Sequence, residues 1–370
     1  MNKKPLITIV FGTRPEAIKL APVIQSFKKC NSINTRVIAT GQHREMVKQV
    51  LDLFDIDVDK DLKLMMKNQS LNNITVKSLV GLEDEFHNNF PDLVLIQGDT
   101  TSAFSAGLSA FYNKIKVGHI EAGLRTGDNL NPFPEELNRR LISQISSLHF
   151  APTEMSRANL IASDAKGKIF VTGNTIIDSL FAISKKNRRL SFWNKDLENK
   201  KIILATIHRR ENWGKELERI SLGLKGILDE NEDFFMILPM HKNPIIRKEL
   251  KKSFAFHDRS LLIEPLPYDE MVSLMKKCHI VVTDSGGIQE EAPSFGKPVL
   301  VLRKNTERQE ALEAGTIKLI GTQPNEIIKK TIELISDKKL YEKMSSAKNP
   351  YGDGKSSERI LKACLDELEV

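Results

Sequence analysis

Three carboxylates of the sequence stand close to short apolar runs, where catalytic groups are often found. Asp99 follows the run Leu93–Gln97, Glu121 follows Lys116–His119, and Glu135 lies in a proline-rich loop before a helix pattern. Asp99 could also cap the next helix, and Glu135 could complement a helix dipole from the first turn. Glu121 has neither explanation, because it is followed by Ala-Gly. We therefore predict that Glu121 is a partly buried carboxylate with a raised pKa, suited to act as a general base.

The first apolar run leads directly into a helix pattern that carries two cations. Thr13 and Glu16 have the spacing of a capping box at the start of this helix. Arg14 and Lys19 place positive charge at the helix N-terminus, where an anion such as phosphate binds favourably. Without an anion, the same residues would be only a well-formed helix start. No GxGxxG motif follows the run, so a nicotinamide dinucleotide is disfavoured.

A second junction with the features of a phosphate site lies in the other half of the chain. There a β-branched run is followed by Ser285, Gly286 and Gly287, and a helix pattern begins at once. Paired glycines allow backbone N–H groups to approach a phosphate, and Ser285 can add a hydroxyl. Glu291, about one turn further on, could bind ribose hydroxyls. The glycine turn alone is weak evidence for a phosphate site. Two junctions that could each bind an anion, one in each half of the chain, favour a diphosphate ligand.

A histidine followed by two arginines comes after another apolar run of the second half. His208, Arg209 and Arg210 follow Lys201–Thr206, and together they could protonate or neutralise a leaving phosphate. A lone histidine is more often structural. The alternating acids of Asp55–Asp59 resemble a metal-binding DxD motif, but such acids after a helix are more often a solvated edge. No other spacing of histidine and acid requires a metal, so we predict no metal and no cofactor.

The elements that must position these side chains alternate between short apolar runs and amphipathic helix patterns. This alternation predicts an α/β fold with parallel sheets, in which the runs are strands covered on both faces. The predicted strands are Leu6–Phe11, Arg36–Thr40, Leu93–Gln97, Lys116–His119, Ile169–Val171, Lys201–Thr206, Phe234–Leu238, Leu261–Glu264, Ile280–Thr283, Val299–Leu302 and Ile317–Ile320.

Eleven strands could form one barrel or two open sheets. The polar stretch Lys185–Lys200 divides them into five and six, which favours two doubly wound, Rossmann-like domains that face a central cleft. We predict an N-terminal domain over 1–184, joined by the C-terminal helix within 355–370, and a C-terminal domain over 185–354. The catalytic carboxylates then belong to the first domain and most of the nucleotide site to the second. Ligand is expected in the cleft, at the carboxyl ends of both sheets.

Composition limits the classes of function. Hydrophobic residues make up 40% and charged residues 28% of 370 residues, which is typical of a soluble folded protein and not of a fibrous or disordered one. No apolar run is long enough to cross a membrane, and the N-terminus lacks the features of a signal peptide. Three cysteines without a CxxC motif favour a reducing cytoplasm over a disulfide scaffold or zinc knuckle.

The charge of the chain favours a small anionic partner over nucleic acid. The net charge of +7 is mild for this length, and the densest basic stretch is Lys185–Arg189. Four Tyr and two Trp offer few platforms on which single-stranded nucleic acid could stack. We therefore predict no nucleic-acid partner and no membrane partner.

Taken in order, these motifs resemble the non-hydrolysing UDP-N-acetylglucosamine 2-epimerase family from one end of the chain to the other. The segments that carry the resemblance are 12–17 (Gly-Thr-Arg-Pro-Glu-Ala), 97–101 (Gln-Gly-Asp-Thr-Thr), 119–126 (His-Ile-Glu-Ala-Gly-Leu-Arg-Thr), 134–139 (Pro-Glu-Glu-Leu-Asn-Arg), 208–212 (His-Arg-Arg-Glu-Asn), 283–293 and 306–308 (Thr-Glu-Arg). One such motif could arise by chance, but seven in matching order could not plausibly do so.

The resemblance implies a glycosyltransferase-B-like fold and a cytoplasmic homodimer without metal or nicotinamide. It implies interconversion of UDP-N-acetylglucosamine and UDP-N-acetylmannosamine, which supplies surface polysaccharide synthesis. In the family, UDP leaves C1 as the C2 proton is lost, which gives 2-acetamidoglucal and UDP, and the two recombine with the proton delivered to the opposite face. The residues agree with this chemistry, since no redox motif is present and carboxylates on separate loops can handle protons at two faces.

The resemblance also assigns roles to individual positions. Those that match catalytic residues are Asp99, Glu121, Glu135 and His208, without a division of the carboxylates between the two faces. Those that match the UDP-sugar site, several of them shared with the catalytic set, are Arg14, Lys19, Asp99, Glu121, His208, Leu266, Met271, Ser285, Gly286, Gly287, Glu291 and Arg308. Some members have an aromatic residue where this chain has Met271.

Bacterial members have a second, activating UDP-N-acetylglucosamine site beside the active site. Its positions match Gln42, His43, Arg209 and His241 in this chain. Two nearby positions depart from the family pattern. Glu45 replaces an amide and Asn68 replaces an arginine. We expect activation to depend on whether the site tolerates these two changes.

Three other functions remain open at the level of sequence. A glycosyltransferase of the same fold would need an acceptor, whereas an epimerase acts on UDP-N-acetylglucosamine alone. A hydrolysing epimerase would release N-acetylmannosamine and UDP, because water captures the intermediate. A catalytically inactive UDP-sugar sensor has no need of three carboxylates and His208 together.

Overall fold

The computed structural model describes residues 4–41, 44–64 and 69–370, and helices alternate with strands through this part of the chain. The first half contains β1 (Leu6–Phe11), α1 (Arg14–Lys28), β2 (Asn34–Ala39), α2 (Arg44–Phe54), β3 (Lys60–Asp61), α3 (Leu71–Asn88), β4 (Leu93–Gln97), α4 (Thr101–Tyr112), β5 (Lys116–Ile120), α5 (Glu135–Ile145), β6 (Leu148–Ala151), α6 (Glu154–Ala162), β7 (Lys168–Val171) and α7 (Thr175–Ser184). The second half contains α8 (Lys195–Glu198), β8 (Lys201–Thr206), α9 (Lys215–Glu230), β9 (Phe234–Pro239), α10 (Pro244–Phe254), β10 (Ser260–Ile263), α11 (Tyr268–Lys277), β11 (Ile280–Thr283), α12 (Gly286–Glu291), β12 (Val299–Val301), α13 (Gln309–Glu313), β13 (Ile317–Leu319), α14 (Pro324–Ser336), α15 (Lys338–Ser345) and α16 (Ser356–Leu368).

Among the described residues the strands form two parallel sheets with the same winding. The first sheet has the order β3-β2-β1-β4-β5-β6-β7, and the second has the order β10-β9-β8-β11-β12-β13. In each sheet the winding reverses between the first strand and the fourth, that is, between β1 and β4 and between β8 and β11. Loops diverge at such switch points, so a crevice for a ligand forms outside the carboxyl ends of the two central strands.

The chain divides into two compact units. One unit comprises Met1–Ser179 with Tyr351–Val370, and the other comprises Leu180–Pro350. The C-terminal helix α16 is attached to the first unit through Asp178, whose carboxylate accepts hydrogen bonds from the Ser356 and Ser357 backbone amides. Glu367 near the end of α16 pairs with Lys116 at 2.7 Å.

Burial on both faces explains why the strands lack polar alternation. All five residues of β4 and all four of β11 are buried, as expected for parallel strands with helices on both sides. In the first unit, helices α3 and α4 cover one face and pack Phe86 and Ala106 against Val94. In the second unit, α9 and α14 pack in the same way around Leu224 and Ile327.

Nine of the predicted strand runs share at least one end with an observed strand, and two strands were missed. Lys60–Asp61 is a two-residue polar strand at the edge of the first sheet, too short for any pattern to indicate. Leu148–Ala151 is fully buried, but its sequence Leu-His-Phe-Ala has no β-branched residue and contains a histidine. Its place between β5 and β7 decides its conformation.

The structure also bears on membrane spans and disulfide bonds, two features considered from the composition. No helix among the described residues is long and apolar enough to cross a membrane. The three cysteines are free thiols, and burial raises the pKa of Cys278 to about 12.

Candidate active site

The switch point of the first sheet brings together the loops that follow β1 and β4. Arg14 begins α1 just beyond β1, and Asp99 lies between β4 and α4. Because β1 and β4 are adjacent and parallel, both residues lie at the same edge of the sheet. The candidate phosphate cation and one candidate carboxylate therefore occupy the crevice at which doubly wound sheets bind ligands.

Asp99 is held by a cation and has a raised pKa. Its carboxylate lies 2.5 Å from the Arg139 guanidinium of α5 and is one quarter exposed. Burial raises the pKa of Asp99, and the Arg139 charge acts against this effect. The Asn138 side chain donates to the Asp99 carbonyl at 2.9 Å, which fixes the backbone as well. Asp99 can therefore hold and release a proton nearer to neutral pH than an exposed aspartate.

Thr100, and not Asp99, caps helix α4. The Thr100 hydroxyl accepts a hydrogen bond from the Ala103 amide at 3.0 Å. It also donates to Glu16 at 2.7 Å, so the cap connects the β4–α4 loop to the start of α1. The alternative explanation of Asp99 as a helix cap is wrong, because Thr100 fills that place and leaves the Asp99 carboxylate free to face Arg139.

Glu16 joins the two loops of the switch point. Its carboxylate is buried and accepts from the Thr13 amide at 2.6 Å and the Gly12 amide at 3.0 Å, which confirms the predicted capping box. Burial raises the pKa of Glu16, while these hydrogen bonds and the one from Thr100 lower it. Sequence analysis treated Glu16 only as part of a helix start. Its bond to a loop 84 residues away fixes the position of Arg14 relative to Asp99.

Glu121 lies at the carboxyl end of β5 in an unusual backbone conformation. Its φ is +64°, a region that non-glycine residues rarely occupy and that is found most often at functional sites. Its carboxylate accepts from the Lys19 ammonium at 2.5 and 2.6 Å and from the Asn174 amide at 3.0 Å. Gln97 donates to it as well. The cation that the sequence assigned to phosphate therefore also has a carboxylate partner within the chain.

Two members of this cluster, Gln97 and Asn174, were missed as functional residues. Gln97 ends β4, and Asn174 follows β7 after a short turn. Both are polar residues at the carboxyl ends of strands in the first sheet, and this position is the signal by which Asp99 and Glu121 were found. Asn174 stands three residues beyond the end of β7 and directly before α7, so it is less closely tied to a strand end than Gln97.

Glu135 begins helix α5, the helix that also supplies Arg139. Its side chain is half-buried, and no hydrogen bond or ion pair to it is found among the described residues. The neighbouring Glu136 is fully buried and pairs with Arg139 and Arg140. Helix α5 thus presents a carboxylate without a partner next to the arginine that holds Asp99.

Arg14 is half-buried, and its Nε–H is buried without a hydrogen-bond acceptor among the described residues. A buried guanidinium donor normally has a partner. A ligand phosphate would supply one, which agrees with the predicted role of Arg14 at the N-terminus of α1.

The switch point of the second sheet is organised by a buried acid, Asp284, that directly follows β11. Asp284 accepts from the His208 amide at 3.0 Å and from the Arg209 amide at 2.9 Å. It also accepts from the Asn212 side chain at 2.9 Å, and the His208 ring Nδ1 lies 3.1 Å away. Although burial alone would raise it, these donors and the His208 charge hold the pKa of Asp284 below its usual range.

Asp284 lies in the segment 283–293 that carries the family resemblance, but it was not predicted as a site residue. It fixes the loop after β8, and it orients the imidazole of His208, whose side chain is 41% exposed. The His208 and His241 rings lie 6.1 Å apart, and burial together with the His208 charge lowers the pKa of His241. A histidine with a buried carboxylate on one nitrogen has its other nitrogen available for a substrate.

Arginines surround the predicted glycine turn. A Cβ atom on Gly286 would lie 3.0 Å from the Arg308 guanidinium and 3.2 Å from that of Arg209, so glycine leaves room for both at the helix start. Arg308 also contacts Glu290 at 2.7 Å, and Arg209 contacts Glu307 at 3.0 Å. Burial would raise the pKa of Glu307, but these guanidinium groups lower it to about 2. The turn therefore lies beside two fixed cations.

Comparison with known proteins identifies the family. The family model described as UDP-N-acetylglucosamine 2-epimerase matches residues 25–365. A UDP-N-acetylglucosamine 2-epimerase of Bacillus subtilis (strain 168) is 48% identical over 364 residues, which cover 98% of this chain and 96% of the relative. The chain belongs to the UDP-N-acetylglucosamine 2-epimerase family.

Solved structures agree with this membership. The UDP-GlcNAc 2-epimerase of Neisseria meningitidis, bound to UDP-GlcNAc, has a TM-score of 0.87 and 47% identity, with 98% of this chain and 100% of that chain covered. The glycotransferase of kitacinnamycin has a TM-score of 0.68 at 12% identity over 99% of this chain and 100% of that chain, which concerns the fold alone. The prediction of two doubly wound parallel sheets in a glycosyltransferase-B-like fold is confirmed.

Other positions assigned by the family resemblance lie in the second unit. Ser285 occupies the N-cap position of the short helix α12, which begins with Gly286 and Gly287, but its side chain makes no capping hydrogen bond. Glu291, predicted to bind ribose, accepts a hydrogen bond from the Tyr268 hydroxyl at 2.8 Å. Tyr268 begins α11, which carries Met271 one turn later, and Leu266 lies just before it.

The positions assigned to an activating site are only partly described. Gln42, His43 and Asn68 lie outside the described residues, and so does the Glu45 side chain. Arg209 and His241 lie beside His208 and Asp284. No group of three or more His, Cys, Asp or Glu side chains that could hold a metal ion is found in the described part of the chain.

Proposed function

We propose that this chain reversibly interconverts UDP-N-acetylglucosamine and UDP-N-acetylmannosamine. The observation that carries the proposal is the cluster of acids and cations at the switch point of the first sheet. Asp99 and Glu121 follow neighbouring strands, and each has a cation within 2.5 Å. Together with membership of the epimerase family, this cluster supports proton transfer at a carbon atom in the first unit.

The proposed reaction breaks two bonds and forms a double bond. A carboxylate takes the proton from C2, and the electron pair of the C2–H bond forms the C1–C2 double bond. The C1–O bond breaks, and its electron pair leaves with UDP, which gives 2-acetamidoglucal. In the second half a carboxylic acid returns a proton to the opposite face of C2, and UDP adds back to C1.

The surroundings of the carboxylates suit them to different parts of this reaction. Asp99, whose pKa burial raises, is suited to hold a proton between the two halves of the reaction. Glu121 is fixed by Lys19 and two amides, which suits a group that must keep its orientation. Glu135 is the third carboxylate. We make no assignment of one carboxylate to one face.

The departing UDP carries charge that cations must stabilise. At the start of α1, the Arg14 Nε–H has no acceptor among the described residues. Arg308 lies at the glycine turn of α12, and His208 is oriented by Asp284. Positive groups that are already in place stabilise developing negative charge without reorganisation. We propose that they receive the diphosphate and that the segment from Leu266 to Met271 receives the uracil.

The decisive experiment is proton NMR of UDP-N-acetylglucosamine with the enzyme in deuterated water. We expect signals of UDP-N-acetylmannosamine, loss of the C2 proton signal in both sugars, and no free N-acetylmannosamine. Release of the free sugar with UDP would identify a hydrolysing enzyme instead. No change without an added acceptor would favour a glycosyltransferase or a sensor, and epimerisation without exchange at C2 would contradict the elimination.

We also propose a cytoplasmic homodimer that supplies surface polysaccharide synthesis. Helices α3, α4 and α5 pack side by side and expose apolar side chains. Val76 and Val80 on α3 are 59% and 55% exposed, and Leu137 and Leu141 on α5 are 41% and 40% exposed. Both pairs have the four-residue spacing of one helix face, and such exposed apolar faces commonly mark subunit contacts.

Sedimentation velocity tests the dimer. Val80→Glu and Leu141→Glu together should shift the protein from dimer to monomer, because they place two charges on the apolar faces. Leu222→Glu is a matched control, since Leu222 is 62% exposed on α9 of the other unit. A double variant that sediments like the wild-type protein would place the subunit contact elsewhere.

A further inference from the structure

A cavity of about 760 Å³ lies in the second unit, between the segment 184–198 and helix α11. We call it the linker cavity. Its lining comes from chain that precedes β8 and from the end of α11, which precedes β11. It therefore lies toward the amino ends of the parallel strands β8 and β11, whereas His208 and Asp284 follow their carboxyl ends. None of its lining residues belongs to the candidate active site.

The linker cavity is strongly basic. Five of its lining side chains are cationic and one is acidic, namely Arg188, Arg189, Lys195, Lys276, Lys277 and Glu198. Arg188 has an acid nearby, since Asp269 lies 3.4 Å from it. For Arg189 and Lys195 no ion pair is found among the described residues. A neighbouring cavity of about 440 Å³ has a balanced lining, with Asp196 and Asp258 against Lys200 and Arg259. The positive charge thus distinguishes the linker cavity from this neighbour.

Trp193 adds an observation of a different kind. Its indole N–H is buried and has no acceptor among the described residues. The Lys277 ammonium lies 4.7 Å from the centre of the indole ring. Neither the cations nor the indole N–H can accept a hydrogen bond, so a ligand that pairs with these groups must bring acceptor atoms. Phosphate groups bring both acceptors and negative charge.

We infer that the linker cavity is a second ligand site, which binds a small molecule that carries two or more phosphate groups. The volume lies within the range of small-molecule sites, ~300–1,000 Å³. One aromatic side chain in a bounded cavity fits a small molecule better than a nucleic-acid strand, which needs a charged track with several stacking rings. The site uses Arg188 and Arg189 of the basic stretch Lys185–Arg189, which has no part in the proposed function. The inference does not depend on the proposed function, because it requires binding and no turnover.

The fluorescence of Trp193 provides a local test with inorganic tripolyphosphate as the probe. The chain has two tryptophans, so Trp213→Phe leaves Trp193 as the only one. Titration is done with saturating UDP present, so that the proposed nucleotide site is occupied. We expect a saturable change of emission that weakens as salt is raised. Arg189→Gln with Lys195→Gln should weaken binding ~10-fold or more, because two charge-assisted contacts are lost.

Two further variants make the result specific. Lys248→Gln with Lys329→Gln removes the same charge from exposed positions of the same unit outside the cavity lining, and binding should be unchanged. Arg189→Lys with Lys195→Arg keeps the charge and should retain most of the affinity, with thermal melts confirming that all variants are folded. Equal affinity in the two charge-removal variants, or no saturable change, would overturn the inference. Tighter binding of a short oligothymidylate through Arg189 and Lys195 would overturn it in favour of a nucleic acid.

Discussion

At the scale of single residues, the candidate site consists of acids paired with cations. Asp99 meets Arg139, Glu121 meets Lys19, and Asp284 meets His208. The pKa of an aspartate differs between two of these places. Burial raises the pKa of Asp99, whereas several hydrogen bonds hold the pKa of Asp284 low. Environment, and not residue type, thus separates a candidate proton carrier from an acid that orients a histidine.

Glu121→Gln tests the candidate base. The amide keeps the shape of the side chain but cannot take a proton, so kcat for epimerisation should fall by ~10²–10⁴-fold. Exchange of the C2 proton in deuterated water should fall with it. Glu154→Gln, at an acid of the same unit that is 75% exposed, is the control and should keep full activity. Retention of more than about a tenth of wild-type turnover would remove Glu121 from the proton-transfer groups.

Asp99→Asn tests the raised pKa through stability. The unfolded chain loses this proton near pH 4, about the value of a free aspartate, and the folded chain loses it at higher pH. The unfolded state therefore binds fewer protons in this window, and the free energy of unfolding falls as pH rises. Because asparagine cannot ionise, the free energy of unfolding of the variant lacks this decrease with rising pH.

Urea denaturation at several pH values measures the effect. The free energy of unfolding of Asp99→Asn, relative to wild type, should increase from pH 4 to pH 7. Arg139 stays paired in the variant, because Glu136 lies 3.3 Å away. A difference between variant and wild type that does not change with pH would show that the pKa of Asp99 is not raised.

Arg14→Ala tests the phosphate cation. A charge-assisted hydrogen bond is worth roughly 1.5–3 kcal/mol, so UDP should bind ~10- to 100-fold more weakly in calorimetry. The control is Arg157→Ala, which removes an arginine that is 49% exposed on α6 of the same unit. Unchanged UDP affinity in Arg14→Ala would place the diphosphate away from the start of α1.

At the scale of elements, helix starts position the candidate site. The start of α1 and the start of α4 are tied together by Glu16, which accepts from Thr13 at one and from Thr100 at the other. Asp99 lies immediately before the α4 cap, and α5 supplies Arg139 to the same carboxylate. His119, whose pKa burial lowers to about 3, bonds through Nε2 to the Gly98 carbonyl at 2.7 Å. The loop around Asp99 is thus fixed on both sides.

Thr100→Ala separates this positioning from ordinary helix capping. Loss of the cap should cost ~1 kcal/mol of unfolding free energy, within a range of about 0.5–2. Thr153→Ala is the matched control, because Thr153 caps α6 through the Ser156 amide at 3.1 Å, in the same manner. Thr100→Ala should lose at least as much stability as Thr153→Ala, because it also removes the hydrogen bond to the buried Glu16 carboxylate. Only Thr100→Ala should also lower kcat, because it frees the loop that carries Asp99, and equal activities would show that the tie to Glu16 has no catalytic part.

At the scale of the whole molecule, the two units carry different parts of the proposed chemistry. The first unit holds the three carboxylates, and the second holds His208 and the arginines at the glycine turn. The activating sugar-nucleotide site expected from the family resemblance is a proposal for this chain, and two of its positions, Arg209 and His241, belong to the second unit. A ligand that favours the competent state shifts its population by its differential affinity alone.

This regulation predicts a lag in the reverse reaction. Starting from pure UDP-N-acetylmannosamine, turnover should be slow until a trace of UDP-N-acetylglucosamine forms or is added. His241→Gln should lengthen the lag, whereas His87→Gln, at an exposed histidine of the first unit, should not. A progress curve without a lag, and without acceleration by added UDP-N-acetylglucosamine, would show that Glu45 and Asn68 have removed the activating site.

The sequence by itself determined the fold class and the places where chemistry is possible. Strands such as Leu93–Gln97 are continuous apolar runs, and the capping box at Thr13 and Glu16 is a local pattern. Both patterns can be recognised in the sequence, because they depend on burial and backbone conformation within a few residues. The rule that ligands bind beyond strand ends then pointed to Asp99, Glu121 and His208 before any contact was known.

Only the tertiary structure decided which of these groups meet. Lys19 and Glu121 are 102 residues apart, and Asp284 receives its donors from a loop more than 70 residues earlier. The order of the strands brings such residues together, and strand order is set by packing over the whole unit. The same reason explains why the bond between Glu16 and Thr100, the role of Asn174 and the strand Leu148–Ala151 were missed. Their roles depend on residues that are close in space but distant in sequence, and no local sequence pattern predicts such contacts.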